Sequence, residues 1–114
     1  MNTDDWTARI REFAHERDWE QFHTPKNLAM ALSVEASELV EIFQWMTPEE
    51  AAAVMSGERA QDVRDEVADI LTYLLRFADV TGIDLDGALE SKAADNARRY
   101  TVESAKGTSI KADH

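Results

Sequence analysis

Apolar residues return at helical steps in four stretches of this chain, and no stretch shows the sustained apolar–polar alternation of a strand. The fold class this predicts is all-α: a four-helix bundle with one short extra helix. Trp6, Ile10 and Phe13 share the inner face of a first helix, which Thr3 is placed to cap and which runs to about Asp18. The stretch RDWEQFHT breaks the period. Thr24 and Pro25 then read as N-cap and first helical residue, and Leu28, Leu32, Leu39, Ile42 and Met46 carry a long helix to about Trp45. Thr47 and Glu50 have capping-box spacing at the start of a short helix that Gly57 stops. Val63, Val67, Ile70, Leu74 and Phe77 mark a third long helix, from about Glu58 to Val80, ending at Thr81-Gly82. Asp84 is placed to cap a fourth, reaching about Arg99. Beyond it the residues are small, polar and weakly periodic, which predicts one helical domain over 1–100 and a flexible tail over 101–114.

Two acidic pairs interrupt the apolar stripes. At about 100° per residue, Glu35 falls along the middle of the second helix's stripe and Glu38 about 60° to its side. Glu66 lies within the edge of the third helix's stripe, with Asp69 about 60° further out. Acidic pairs at this spacing are common on solvated helix faces, so spacing alone says little; position does. A carboxylate on a core-facing side is costly unless it is paired, hydrogen-bonded or bound to a metal. Four of them on two facing helices supply the hard oxygen ligands that Mg²⁺ prefers, with Mn²⁺ as a substitute. Glu41 repeats the spacing but rotates away from the stripe, as a surface or supporting residue.

At 114 residues the chain suits a single domain with one core, and it contains no cysteine, which removes disulfide frames and thiolate chemistry. A net charge of −11 argues against a nucleic-acid partner. No apolar run is long enough to span a bilayer and the start lacks a signal-peptide pattern, so no membrane is involved and a cytoplasmic location is expected. Glu-x-x-His ligation of a di-iron type is missing, since His15, His23 and His114 never stand three residues after a glutamate of either pair. Nor is there a Gly-rich phosphate loop. Oxygen-only ligation without such a loop points to phosphate chemistry held by metal and side chains.

The remaining candidates are cationic and aromatic. Lys92, Asn96 and Arg99 recur on one face of the last helix, where cations also complement the helix dipole. Trp19, Phe22, His23 and Trp45 flank the first carboxylate helix. They serve either as core or as flat stacking partners for a nucleobase.

These residues carry a resemblance. FAHERDWEQFHTPKNLAMALSVEASELVEIFQW, DEVADILTYLL and SKAADNARRY, at these separations, resemble the MazG-like all-α nucleoside triphosphate pyrophosphatases, and most of all their dCTP pyrophosphatase branch, over about residues 6 to 100. The resemblance implies Mg²⁺ bound by Glu35, Glu38, Glu66 and Asp69. It implies a base pocket from Trp19 through His23, including Gln21, with Trp45 and Tyr73. It implies phosphate contacts from Lys92, Asn96, Arg99 and Tyr100, made across a subunit boundary in a homo-oligomer, a dimer or a tetramer. Two positions depart from the pattern: Val34 stands where the wider family has a second Glu, and Ile10 where eukaryotic dCTP enzymes have a pocket His.

The expected reaction is Mg²⁺-dependent conversion of a (deoxy)nucleoside triphosphate, dCTP or a modified dCTP first, to the monophosphate and pyrophosphate. Glu38 would orient or deprotonate the attacking water, while Lys92 and Arg99 stabilise the leaving group. The readings from other classes are a non-catalytic acidic helical interaction module and a divalent-cation-binding regulator.

Overall fold

The computed structural model describes residues 1–112, and within them the chain is helical with no strand. The helices are α1 (Thr3–Glu16), α2 (Pro25–Phe43), α3 (Pro48–Ala52), α4 (Ala60–Thr81), α5 (Leu85–Arg99) and α6 (Val102–Ala105). One-turn 3₁₀ segments at Glu20–Phe22 and Val54–Ser56 precede α2 and α4. Two compact units result, one spanning Met1–Gly82 and one beginning at Ile83.

Local chemistry fixes most boundaries. Thr24 accepts the Asn27 N–H and Pro25 opens α2. The Thr47–Glu50 capping box is present in both directions, each bond 3.1 Å long. Gly82, at φ 72°, ends α4 in the left-handed region that favours glycine. The cap of α1 is Asn2 rather than Thr3: its side chain accepts the Asp5 N–H at 3.1 Å, and Thr3 is already helical. At the other end α1 stops two residues short of Asp18, which itself takes a left-handed φ of 54°. Trp19 N–H then reaches Ala14 C=O, and Asp18 N–H reaches His15 C=O, the paired bonds of a Schellman turn. The apolar contact usual in that motif is made by Trp19 on Phe13, with ring centroids 5.6 Å apart.

In the first unit α2 and α1 both pack on α4. Ala14, Leu28, Ile42, Ala60, Leu75 and Ala78 are buried there. This core is narrower than the apolar stripes. Val67 and Leu74, on the predicted stripe of α4, remain exposed, as do Val34 and Val40 of α2. The reason is geometric: α1 and α2 cover only part of the apolar girth of α4, and nothing in this unit covers the rest.

The second unit holds α5 and the described part of the expected tail. Thr101 caps α6 by accepting the Ser104 N–H. The chain then returns so that the Ala112 N–H donates to the Tyr100 hydroxyl at 2.5 Å and the Ala112 carbonyl accepts from Arg99 at 3.2 Å. These are single hydrogen bonds rather than an apolar stripe, and periodicity does not report such contacts. Residues 113 and 114 of the expected tail, His114 among them, lie outside the described residues.

Candidate active site

Leu28, Glu35 and Ile42 follow one another at seven-residue steps, so they share one face of α2. The first and last are buried, and Glu35 is held between them. Glu38, Glu41 and Ile42, from the later half of α2, line one groove with Asp62, Asp65 and Glu66, from the early half of α4. The two helices therefore run antiparallel here, and this brings the carboxylates together. Glu35, Glu38 and Glu66 each offer an oxygen within 4.8 Å of the others. Asp69, the fourth expected ligand, is not in that group, although its charge is near enough to act on Glu35.

Burial pushes the Glu35 carboxyl above the usual range. A hydrogen bond from Glu66 opposes this shift, and the Glu38 and Asp69 charges reinforce it. Glu66 is pushed up to about 7, by burial first and then by the carboxyls of Glu35 and Glu38. The Oε2 atoms of both Glu35 and Glu66 are shut off from solvent and have no hydrogen-bond partner among the described residues. Orphaned buried oxygens are costly, and a divalent cation is the group that satisfies several at once. The donor set is all oxygen, as Mg²⁺ or Mn²⁺ requires. Glu41, expected to turn away, lines the groove beside Glu38 together with Arg59, which is paired to Asp62 at 2.7 Å.

A second cavity of about 140 Å³ lies further along α4, lined by Phe13, Trp19, His23, Asp69, Tyr73 and Arg76 among others. Glu66 and Tyr73 are seven residues apart, about 10 Å along the helix axis, and Asp69 stands between them. The Schellman turn after α1 carries Trp19 into this cavity. Gln21 does not join it: its side-chain nitrogen is engaged by the Asp18 backbone and carboxylate at 3.0 and 3.1 Å. Trp45 does not join it either, and it is 89% exposed beyond the end of α2.

Arg76, Asp79 and Arg11 were not among the residues the sequence singled out, although His23, which Arg76 meets, was. Arg76 is only 6% exposed, and its Nε–H donates to His23 Nδ1 at 3.0 Å. Its Nη1 donates to Asp79 at 2.9 Å, and Asp79 also accepts two bonds from Arg11 of α1, at 2.9 and 2.6 Å. A signal existed: Arg76 falls seven residues after Asp69 and three after Tyr73, on the same face of α4.

In the second unit the cations of α5 gather on one carboxylate. Lys92 and Arg99 each reach Asp95 at 3.4 Å, and Arg98 pairs with it as well. Asn96, beside them on α5, is exposed, and Tyr100 ends that helix. Among the described residues no helix is long and apolar enough to cross a membrane.

The chain is similar to known proteins over most of its length. The chain is 46% identical to dCTP pyrophosphatase 1 of Bos taurus over 102 residues, covering 88% of this chain and 60% of the relative. It is 44% identical to dCTP pyrophosphatase 1 of Homo sapiens over 101 residues, covering 88% and 59%. It thus spans about 60% of the length of the curated relatives it matches. A crystal structure of a pyrophosphatase from Archaeoglobus fulgidus superposes with a TM-score of 0.81 at 40% identity, covering 86% of this chain and 91% of that one. The model of the MazG-like family matches residues 30–114, the part that contains every carboxylate of the cluster, and the chain belongs to that family.

Proposed function

We propose that this chain is a Mg²⁺-dependent pyrophosphohydrolase that converts a (deoxy)nucleoside triphosphate to the monophosphate and pyrophosphate. The observation that carries this reading is the pairing of two features on α4. A carboxylate cluster with orphaned buried oxygens lies beside an aromatic cavity on the same helix, with Glu66 and Tyr73 about 10 Å apart along its axis, a span suited to the phosphates and the base of one nucleotide. The names of the dCTP pyrophosphatase relatives favour dCTP as the first substrate, and the resemblance of the W-E-Q-F-H stretch to that branch adds a modified dCTP beside it. The role is cleaning of the nucleotide pool, and the cytoplasm is where that pool lies.

Glu35, Glu38, Glu66 and Asp69 hold Mg²⁺, or Mn²⁺ in its place. When bound, the metal neutralises phosphate charge and eases deprotonation of water near it. Glu38 faces the open groove, and it orients or deprotonates the water that attacks the α-phosphorus. Lys92, Asn96, Arg99 and Tyr100 contact the phosphates, with Lys92 and Arg99 countering charge on the departing pyrophosphate. Trp19, His23 and Tyr73 receive the base. The cavity is smaller than the roughly 300–1,000 Å³ of a whole small-ligand site, so it takes only part of the nucleotide. Trp45, which stands clear of the cavity, completes a base site shared between subunits. The exposed Val34, Val40, Val67 and Leu74 give a homodimer, or a tetramer built from dimers, the apolar surface it needs.

Pyrophosphate release from a panel of nucleoside triphosphates, with and without Mg²⁺, tests this. Metal-dependent release with one or two favoured bases is expected. No release from any nucleotide would leave a non-catalytic interaction or cation-binding module as the reading.

A further inference from the structure

His23 is hydrogen-bonded in a way that determines which of its nitrogens carries the proton. An arginine guanidinium has donors only and stays charged, so the ring nitrogen that meets Arg76 Nε–H must offer a lone pair. That nitrogen is Nδ1, and the proton of the neutral ring therefore sits on Nε2. Arg76 cannot turn away easily. Its side chain is nearly buried, its other arm donates to Asp79, and Asp79 is held in turn by both nitrogens of an Arg11 fork from α1. Burial, and then the Arg76 charge, lower the pKa of His23, in keeping with a ring that stays neutral. Among the described residues Nε2 has no hydrogen-bond partner, and His23 lines the aromatic cavity with Trp19 and Tyr73.

We propose that the Arg11–Asp79–Arg76 chain is a specificity device: it locks His23 as the Nε2–H tautomer, so that the cavity presents one fixed donor to the edge of the base. Arg76 is then a positioning residue for base choice, acting through His23. The proposal rests on the cavity being the base pocket of the function above. Stacking on Trp19 is indifferent to the base, whereas a fixed donor is not. A base edge with a carbonyl oxygen or a bare ring nitrogen at that point gains a hydrogen bond. One that presents an N–H there sets two donors against each other and leaves both unsatisfied. A ring free to exchange tautomers would meet either edge and discriminate poorly.

Two readouts on the full chain test this. The first is the long-range ¹⁵N–¹H imidazole spectrum of the wild-type protein, which needs neither substrate nor variant. It should show a neutral His23 protonated on Nε2; a proton on Nδ1 would overturn the lock. The second is the ranking of nucleotides by kcat/KM in Arg76→Met, which fills the space of the stem without a donor while Asp79 keeps Arg11. His23 should become a tautomer mixture. The ratio between the best nucleotide and its nearest competitor should fall about three- to tenfold, the worth of one hydrogen bond. If Arg76→Met does not fold, His23→Phe, which keeps the ring but offers no nitrogen to the base, should flatten the ranking likewise. An unchanged ranking in the folded variant overturns the specificity role while the pyrophosphohydrolase reading stands. A wild type that hydrolyses no nucleotide overturns both.

Discussion

Asp79→Ala is the perturbation whose cost can be worked out most directly from the structure. The Asp79 carboxylate joins two arginines with very different surroundings: the Arg11 side chain is 55% exposed, that of Arg76 only 6%, and Asp79 itself 15%. An exposed ion pair is worth about 0–1 kcal/mol, because water screens it and two long side chains must be held still. A charge-assisted bond to a buried guanidinium is worth about 1.5–3 kcal/mol, and its loss leaves Arg76 with His23 alone. The substitution should therefore cost about 2–4 kcal/mol, and Arg11→Ala clearly less, because Arg11 is the exposed arm. Urea unfolding followed by helical circular dichroism, at one fixed protomer concentration, measures both. Acid adds a second signature. The Arg11 hydrogen bond and the two arginine charges, against opposing burial, hold the Asp79 carboxyl below its ordinary value of 3.8. Its stabilisation is fully present above that value and is lost as pH falls through the lower folded one. The variant should lack that part of the acid limb. Equal costs for Asp79→Ala and Arg11→Ala, or a cost below 1 kcal/mol for the former, would refute the assignment of the energy to the buried arm.

Other outcomes follow from the same geometry. Glu35→Gln and Glu66→Gln should each abolish Mg²⁺-dependent turnover yet raise the melting temperature of the metal-free protein, since clustered carboxylates repel one another; wild-type rates in both would remove the cluster from the mechanism. The raised Glu66 pKa gives the metal-free protein a stability component fully present below the ordinary glutamate value of 4.5 and lost as pH rises through about 7. Thermal melts between pH 5 and 8 in a chelator should show that slope, and saturating Mg²⁺ should flatten it. Trp45→Ala should weaken binding of all nucleotides by about 1–3 kcal/mol in calorimetry without reordering them, as loss of a stacking face does. Sedimentation should find a dimer or tetramer, and a fully active monomer would contradict the shared-site reading.

Residues that act through their own helix were legible in the sequence. Thr24-Pro25, the Thr47–Glu50 box and Gly82 mark boundaries by bonds to neighbours at most a few residues away, and spacing alone reveals those. Glu35 was legible because a carboxylate midway between Leu28 and Ile42 contradicts its own stripe. The Arg11–Asp79 bond, by contrast, joins residues 68 positions apart, and no periodicity within α1 or α4 encodes it. The spacing put Arg76 on the face of Asp69 and Tyr73, but its burial depends on what α1 and the Glu20–Phe22 turn bring to it, which no spacing reports. Asn2 displaced Thr3 as the cap of α1 because two adjacent residues were both good caps, and pattern does not choose between them. The exposed side of the stripes, Val67 and Leu74 above all, shows that periodicity reports which face is apolar rather than what covers it.

The most direct test of the central claim follows the oxygen. The protein is incubated with dCTP and Mg²⁺ in ¹⁸O-enriched water, and the products are resolved by ³¹P NMR and mass spectrometry. Attack at the α-phosphorus predicts monophosphate and pyrophosphate in equal amounts, with the label in the monophosphate alone and no reaction in a chelator. Release of inorganic phosphate with a nucleoside diphosphate, or label in the pyrophosphate, would contradict it.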